Sequence, residues 1–175
     1  MQSQTEHTSP KWYGIYTRAR AEKKLAEQFD AEGITYFLPL YTELRQWSDR
    51  KKKVTEPLIK RLIFVQTTAN KLNDLYRFQH VTGVVRYLGK PAEIRDHEIK
   101  MLEIIAREWN GETVSVNEEI SLQPGDEVEI KRGPFTGLSG KLLAVKGKHR
   151  LLVQLTSLNV EFTVDVAKSQ TKKIA

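Results

Sequence analysis

Cysteine is missing from all 175 residues, which removes disulfides, thiolate metal ligands and cysteine nucleophiles together. Long apolar runs are missing as well, and no stretch approaches the ~20 residues of a membrane span. Met1–Pro10 is polar and carries no hydrophobic segment. A secretory signal is therefore not expected there, and residues 1–10 read as a disordered tail. Histidine is scarce: His7, His80, His97 and His149 are the four copies, and no two have metal-ligand spacing. The chain has no G-x-S-x-G elbow, no H-E-x-x-H and no dinucleotide fingerprint. Asp96-His97 reads as a helix cap and a surface residue rather than part of a triad. Nothing asks for a cofactor, a metal or an enzymatic role, and a cytoplasmic location fits these absences.

What is present is ordinary in amount and uneven in placement. Hydrophobic residues make up 39% and charged residues 29%, which suits a soluble chain of one ordinary domain or two small ones. The net charge of +6 and pI near 9.4 favour an acidic partner such as nucleic acid. Between Arg45 and Arg61, seven Lys/Arg face only Asp49 and Glu56, so most of the excess sits in one short stretch.

The periodicity predicts a strand over Lys11–Thr17 and a helix from about Arg18 to Glu32, with Ala21, Leu25 and Phe29 on one face and Gly33 as its stop. This helix carries Arg18, Arg20, Lys23 and Lys24 toward its N-terminus and Glu27, Asp30 and Glu32 toward its C-terminus. The macrodipole prefers the reverse, by ~0.3–1 kcal/mol per exposed terminal charge. Cations so placed suit a task such as contacting phosphate, although i,i+4 pairs such as Lys23–Glu27 offset part of the cost.

Ile34–Leu40 reads as a strand. Tyr41–Trp47 and Val54–Leu58 read as the arms of a hairpin whose tip, Ser48 to Lys53, is basic. Leu62–Thr67 reads as a central strand, because Leu62, Ile63, Phe64 and Val65 run consecutively. A short helix near Lys71–Phe78, a strand Val84–Leu88 and a helix from Asp96 to about Trp109 follow. Glu112–Ser121 lacks periodicity, and residues 111–121 read as a linker. Beyond it, Leu151, Val153 and Leu155 alternate cleanly, as do Val160, Phe162, Val164 and Val166. Turns are placed at Lys146-Gly147-Lys148 and Ser157-Leu158-Asn159. About fifty residues of short strands without a helix read as a small barrel.

Gln123–Lys141 concentrates four glycines and two prolines around the alternating strand Glu127–Lys131. A phosphate loop is excluded, since Gly140-Lys141 is followed by Leu142 and then by strand rather than helix. The run Gly125, Gly133, Pro134, Phe135, Gly137, Gly140 instead resembles the KOW motif, which opens a small SH3-like barrel. Upstream, Trp12-Tyr13, then Glu56-Pro57-Leu58 before Leu62-Ile63-Phe64-Val65, resembles the N-terminal domain of the NusG family. Val84-Val85-Arg86-Tyr87-Leu88-Gly89 and Pro91-Ala92-Glu93-Ile94 continue that resemblance.

The resemblance implies an α+β chain with a ferredoxin-like α/β sandwich over residues 11–110 and an SH3-like KOW barrel over 122–175. It implies a transcription elongation factor that grips RNA polymerase, with Rho or ribosomal protein S10 as further partners of the KOW domain. A monomer away from membranes is expected. By position the polymerase patch comprises Leu62, Phe64, Val84, Val85 and Tyr87, about half of them expected in the core. The family's Phe-Pro-Gly-Tyr stands here as Ile59-Lys60-Arg61-Leu62, and Leu158-Asn159-Val160-Glu161 replaces the Phe-Gly-Arg of housekeeping members. Both departures resemble the specialised RfaH-like or UpxY-like antiterminators. In the RfaH branch the first helix reads the non-template DNA strand, which by position implicates Arg18, Arg20, Lys24 and Gln28. Arg50, Lys51, Lys52 and Lys53 are candidates for DNA phosphates or polymerase, against the plainer reading of a solvated charge run. An RNA- or ribosome-binding KOW module is the alternative, but it leaves the first 110 residues without a task.

Overall fold

The computed structural model describes residues 9–47, 49–108, 124–133, 135–144, 149–155, 157–158, 160–166 and 171–174. The expected tail up to residue 8, the linker 111–121, the helix end at Trp109, Gln123, Pro134, the turn 146–148 and Asn159 lie outside the described residues. The chain is mixed α/β and divides into two compact units. One comprises Met1–Leu40 with Glu56–Ile99, the other Tyr41–Thr55 with Lys100–Ala175.

In the first unit, β1 (Lys11–Thr17), α1 (Glu22–Ala31), β2 (Tyr36–Phe37) and β5 (Leu62–Thr67) precede a 3-10 helix (Ala69–Arg77), β6 (Val81–Val84) and β9 (Glu93–Ile94). The sheet runs β2-β5-β1-β6, with β9 pairing the other end of the same β1 edge. Strand β5 is internal, as the unbroken apolar run predicts, and pairs antiparallel with β1 from Tyr16↔Leu62 to Lys11↔Thr67. Alternation then sends Tyr13, Ile15, Ile63 and Val65 into a core with Leu25 and Phe29 of α1 and Leu72, Leu75 and Phe78. The Phe29 ring meets Phe78 edge-on at 5.0 Å. Burying a side chain of that size stabilises by ~1.5–3 kcal/mol.

Three expectations are corrected here. Ile34–Leu40 is a strand only over Tyr36–Phe37, preceded by Gln66 N–H donating to the Thr35 carbonyl at 2.9 Å. Ile34 N–H closes the turn after α1 by donating to the Phe29 carbonyl at 2.9 Å, and Leu40 already begins the next strand. Val84–Leu88 is not one strand. Val85 N–H donates to the Gly14 carbonyl at 2.8 Å, and the chain then leaves the sheet as a small hairpin. Its arms are β7 (Arg86–Tyr87) and β8 (Lys90–Pro91), and it returns at β9. Third, Asp96 is not the cap of α2 (Asp96–Glu108). Arg95 N–H donates to the Glu98 carboxylate at 3.0 Å, while Glu98 and Ile99 N–H donate to the Arg95 carbonyl. The reciprocal half of a capping box thus comes from Glu98.

The second unit takes Tyr41–Thr55 of a two-stranded ribbon formed by β3 (Leu40–Gln46) and β4 (Lys51–Pro57). A separate antiparallel sheet has the order β13-β12-β11-β10-β14, built from β10 (Glu127–Ile130), β11 (Ser139–Ala144), β12 (His149–Leu155), β13 (Val160–Val166) and β14 (Thr171–Lys173). Leu151, Val153 and Leu155 are buried, as are Val164 and Val166, while Phe162 is half-buried. On the other face Arg150 lies opposite Asp165 and grips it with two hydrogen bonds of 2.7 and 3.0 Å. The glycines of the opening motif are structural. Gly125 turns into β10 at φ +100 and donates its N–H to the Leu142 carbonyl. Gly133 and Gly137 flank the half-buried Phe135. A side chain at Gly140 would stand 2.5 Å from the Leu152 carbonyl oxygen, so only glycine lets β12 approach.

Candidate functional site

The basic ribbon has a definite register. The Thr42 and Thr55 hydroxyls are 2.9 Å apart, and Trp47 N–H donates to the Arg50 carbonyl at 2.8 Å. Both contacts put the strands in one pairing, with Leu44 opposite Lys53, Arg45 opposite Lys52 and Gln46 opposite Lys51. One face therefore carries Thr42, Leu44, Gln46, Lys51, Lys53 and Thr55, all exposed. The other is half-buried at Tyr41, Glu43, Val54 and Glu56 and becomes exposed toward the end, at Arg45, Trp47, Arg50 and Lys52. The expectation that Lys51–Lys53 form a loop tip is corrected, since β4 begins at Lys51. Strand pairing splits the three lysines between the two faces, with Lys52 opposite in direction to Lys51 and Lys53.

The first helix is shorter than its periodicity predicts. It starts at Glu22, and Arg18 and Arg20 lie in the preceding turn. There Arg18 N–H donates to the His80 carbonyl at 3.0 Å, and Arg20 is held at φ +59. Glu22 occupies the first turn, where the dipole favours it. At the other end, Asp30 accepts from the Tyr36 hydroxyl at 2.9 Å, and Glu32 pairs with Arg77. The reversed charge pattern is therefore mostly resolved by partners outside the helix. Arg18, Arg20 and Lys24 are exposed. Gln28 is only half-exposed, and its Oε1 is buried without a hydrogen-bond partner among the described residues, so it does not stand outward with the cations.

The five residues assigned to a polymerase patch are not brought together on the surface. Leu62, Phe64, Val84 and Val85 are buried, Phe64 at 0% exposure, whereas Tyr87 is 70% exposed. Four of the five are thus interior, where about half were expected. Val84 joins the core beside Ile15 and Ile63, and the Phe64 ring stacks on Phe37 at 6.1 Å. Of the five, Tyr87 is exposed because it lies on the β7–β8 hairpin. Its turn places Leu88 at φ +48 and Gly89 at φ +80, a conformation that glycine and asparagine favour and leucine resists. Leu88 is nonetheless 85% exposed beside Tyr87, and Arg86 Nη1 braces the turn by donating to the Gly89 carbonyl at 3.0 Å. In the sequence Leu88 goes unnoticed, because it reads as the end of a strand.

Arg61 has a different task from the one its charge suggests. It sits at φ +62, at the glycine position of the Phe-Pro-Gly-Tyr pattern. Its N–H donates to the Glu22 carboxylate at 2.6 Å, and its carbonyl accepts from Thr17 N–H at 2.9 Å. Glu22 is buried, and nothing in the sequence marks it, where it reads as one more helix charge. Two tyrosines are electrostatically perturbed. Burial, and then Glu93, raise the Tyr13 hydroxyl above its ordinary value of 10.0. Burial and the Asp30 hydrogen bond do the same for Tyr36. No group of three or more His, Cys, Asp or Glu residues among those described is placed to hold a metal. No helix there is long and apolar enough to cross a membrane.

Residues 10–103 match the family model described as NusG, transcription termination factor nusG. A solved structure concerned with domain interaction in Thermotoga maritima NusG aligns over 95% of this chain and 98% of that one. It does so at 23% identity with a TM-score of 0.58, a likeness of fold. Two crystal structures of the MjSpt4:Spt5 complex align over 94% of the chain at 19% and 18% identity, but their TM-scores of 0.31 and 0.32 carry no argument. No curated protein sequence matches. With more than half its length inside that family model, this chain belongs to the NusG family of transcription factors.

Proposed function

We propose that this chain is a transcription elongation factor that binds RNA polymerase and promotes processive elongation. Residues 11–110 would act as a ferredoxin-like N-terminal domain, 111–121 as a linker and 122–175 as an SH3-like KOW barrel. The observation that carries the reading is the family match over residues 10–103. The KOW-like glycine pattern from Gly125 to Gly140 supports it from the other half of the chain.

The finer reading is a specialised antiterminator directed to particular operons, of the RfaH-like or UpxY-like kind. It is supported by the loss of Phe-Pro-Gly-Tyr at residues 59–62 and by the exposed cations Arg18, Arg20 and Lys24 beside α1. These would meet the non-template strand, and the ribbon cations Arg50–Lys53 would meet DNA phosphates. Within the polymerase set, Tyr87 is the member able to touch a partner directly, with Leu88 beside it. Leu62, Phe64, Val84 and Val85 would support the surface from within. Rho and ribosomal protein S10 are proposed partners of the barrel.

The test is co-purification with core RNA polymerase from the source cell. The parent chain is expected to retain polymerase, and Tyr87→Ser with Leu88→Ser is expected to lose it while melting unchanged, because both side chains are exposed. A folded parent chain that never retains polymerase would refute the reading.

A further inference from the structure

The strongest unassigned feature is the indole of Trp47. It is 57% exposed at the end of the β3–β4 ribbon, where its N–H to Arg50 carbonyl bond holds the strand pair closed. Among the described residues no ring or cation–π contact engages it. The pairing puts Arg50 directly opposite Trp47 on the same face. Lys52 is the next residue on that face of β4, ~7 Å along the strand. Both cations are exposed. Arg45, on the Trp47 strand, is paired with Glu43 and is less available. Lys51 and Lys53 extend the positive field to the opposite face. A ligand for this surface must present a flat apolar face and anionic groups a few ångströms away.

The geometry points to Trp47 as a stacking platform for an unpaired nucleobase, with Arg50 and Lys52 holding the flanking phosphates. The ligand class is a single strand of DNA or RNA. A duplex keeps its base faces stacked inside and offers the indole nothing but its edges. This deepens the proposed nucleic-acid role of the ribbon and rests on it, and it changes the ligand from phosphate alone to phosphate with an exposed base. Base–aromatic stacking tolerates any sequence, because every base has a π-face. The ribbon would therefore recognise melted strand rather than a particular word.

The experiment is fluorescence anisotropy of the full chain with labelled oligonucleotides of about 12 nucleotides: single-stranded DNA, single-stranded RNA and the matching DNA duplex. Trp47→Ala is expected to weaken single-strand binding by about 5- to 150-fold, the range for unstacking one base from an aromatic ring. The salt slope should stay as it was, duplex binding should change far less, and Trp47→Phe should retain most of the affinity. Arg50→Ser with Lys52→Ser should instead flatten the salt slope. Weakening in the DNA arm, the RNA arm or both supports the platform and identifies its strand. The inference is overturned if Trp47→Ala binds single strands within about twofold of the parent, or weakens on duplex and single strand alike. Polymerase co-purification is a separate readout, so a failed platform and a failed elongation-factor reading are told apart.

Discussion

The buried carboxylate of Glu22 accepts a 2.6 Å hydrogen bond from the backbone N–H of Arg61, thirty-nine residues further along the chain. The contact fastens the entrance of the central strand to the first turn of α1. It holds Arg61 in a left-handed conformation, φ +62, that a residue with a Cβ adopts at a cost of ~1–2 kcal/mol. The family pattern has glycine at this position, and the backbone explains why.

Arg61→Gly is therefore expected to stabilise the chain by about 0.5–1 kcal/mol. It relieves the strain and keeps the N–H, and the extra freedom of glycine in the unfolded chain offsets part of the gain. Glu22→Ala should cost about 1–3 kcal/mol by leaving that donor without its acceptor. Urea denaturation of both variants checks the pair. Equal stability of Arg61→Gly and parent would mean that the turn is not strained.

Replacing Arg50, Lys51, Lys52 and Lys53 by serine removes four exposed cations from the ribbon. Affinity for a reconstituted elongation complex should fall, and the slope of log affinity against log salt should flatten by about one for each phosphate no longer neutralised. Melting should shift little, since none of the four is buried. If affinity and slope both stay as in the parent, these cations only solvate a surface.

Gly140→Ala brings a methyl group against the Leu152 carbonyl oxygen, 2.5 Å from the ideal Cβ. Backbone cannot yield as the end of a side chain does, so the strand pair β11–β12 must separate. A destabilisation of roughly 1–3 kcal/mol is expected. Amide exchange of residues 127–166 should accelerate, with little change in the sheet of β1 and β5. Unchanged protection across β11 and β12 would count against the tight approach.

Tyr13 and Tyr36 both hold their protons more tightly in the folded state than the ordinary value of 10.0. The folded chain then binds more protons than the unfolded one once pH exceeds about 10. Their contribution to stability is complete below pH 10 and is lost as pH rises through the raised values. Melting temperature should fall over that window, and Tyr13→Phe should make the fall shallower. A titration at 295 nm in which every tyrosine ionises at the ordinary value would remove the prediction.

Much of this was legible from residues alone, for reasons that can be located. The limits of β1, Lys11–Thr17, and the internal place of β5 follow from alternation and from an apolar run with no polar face to expose. Gly140 announces a close backbone approach, and Gly125, Gly133 and Gly137 announce turns at positive φ, because glycine meets both demands at least cost. The helix start at Glu22 was not legible, because Arg18 to Ala21 have the composition of a first turn. The bond from Arg18 N–H to the His80 carbonyl and the left-handed backbone at Arg20, φ +59, keep them out of it. The hairpin at Leu88 was hidden likewise, since Val84 to Leu88 is good strand sequence, yet the chain leaves the β1 edge after Val85 and the rest of that edge, Trp12 and Tyr13, is taken by β9.

Sequence alone determines that this chain is basic, free of cysteine chemistry and built as a NusG-family pattern, since those are properties of composition and spacing. Which apolar residues reach the surface was decided by the tertiary structure. Burial depends on what covers each face of a strand, and that cover comes from residues distant in the chain. The same reason separates Phe64, stacked on Phe37, from Tyr87 and Leu88, which stand in solvent, and it sets Trp47 opposite Arg50.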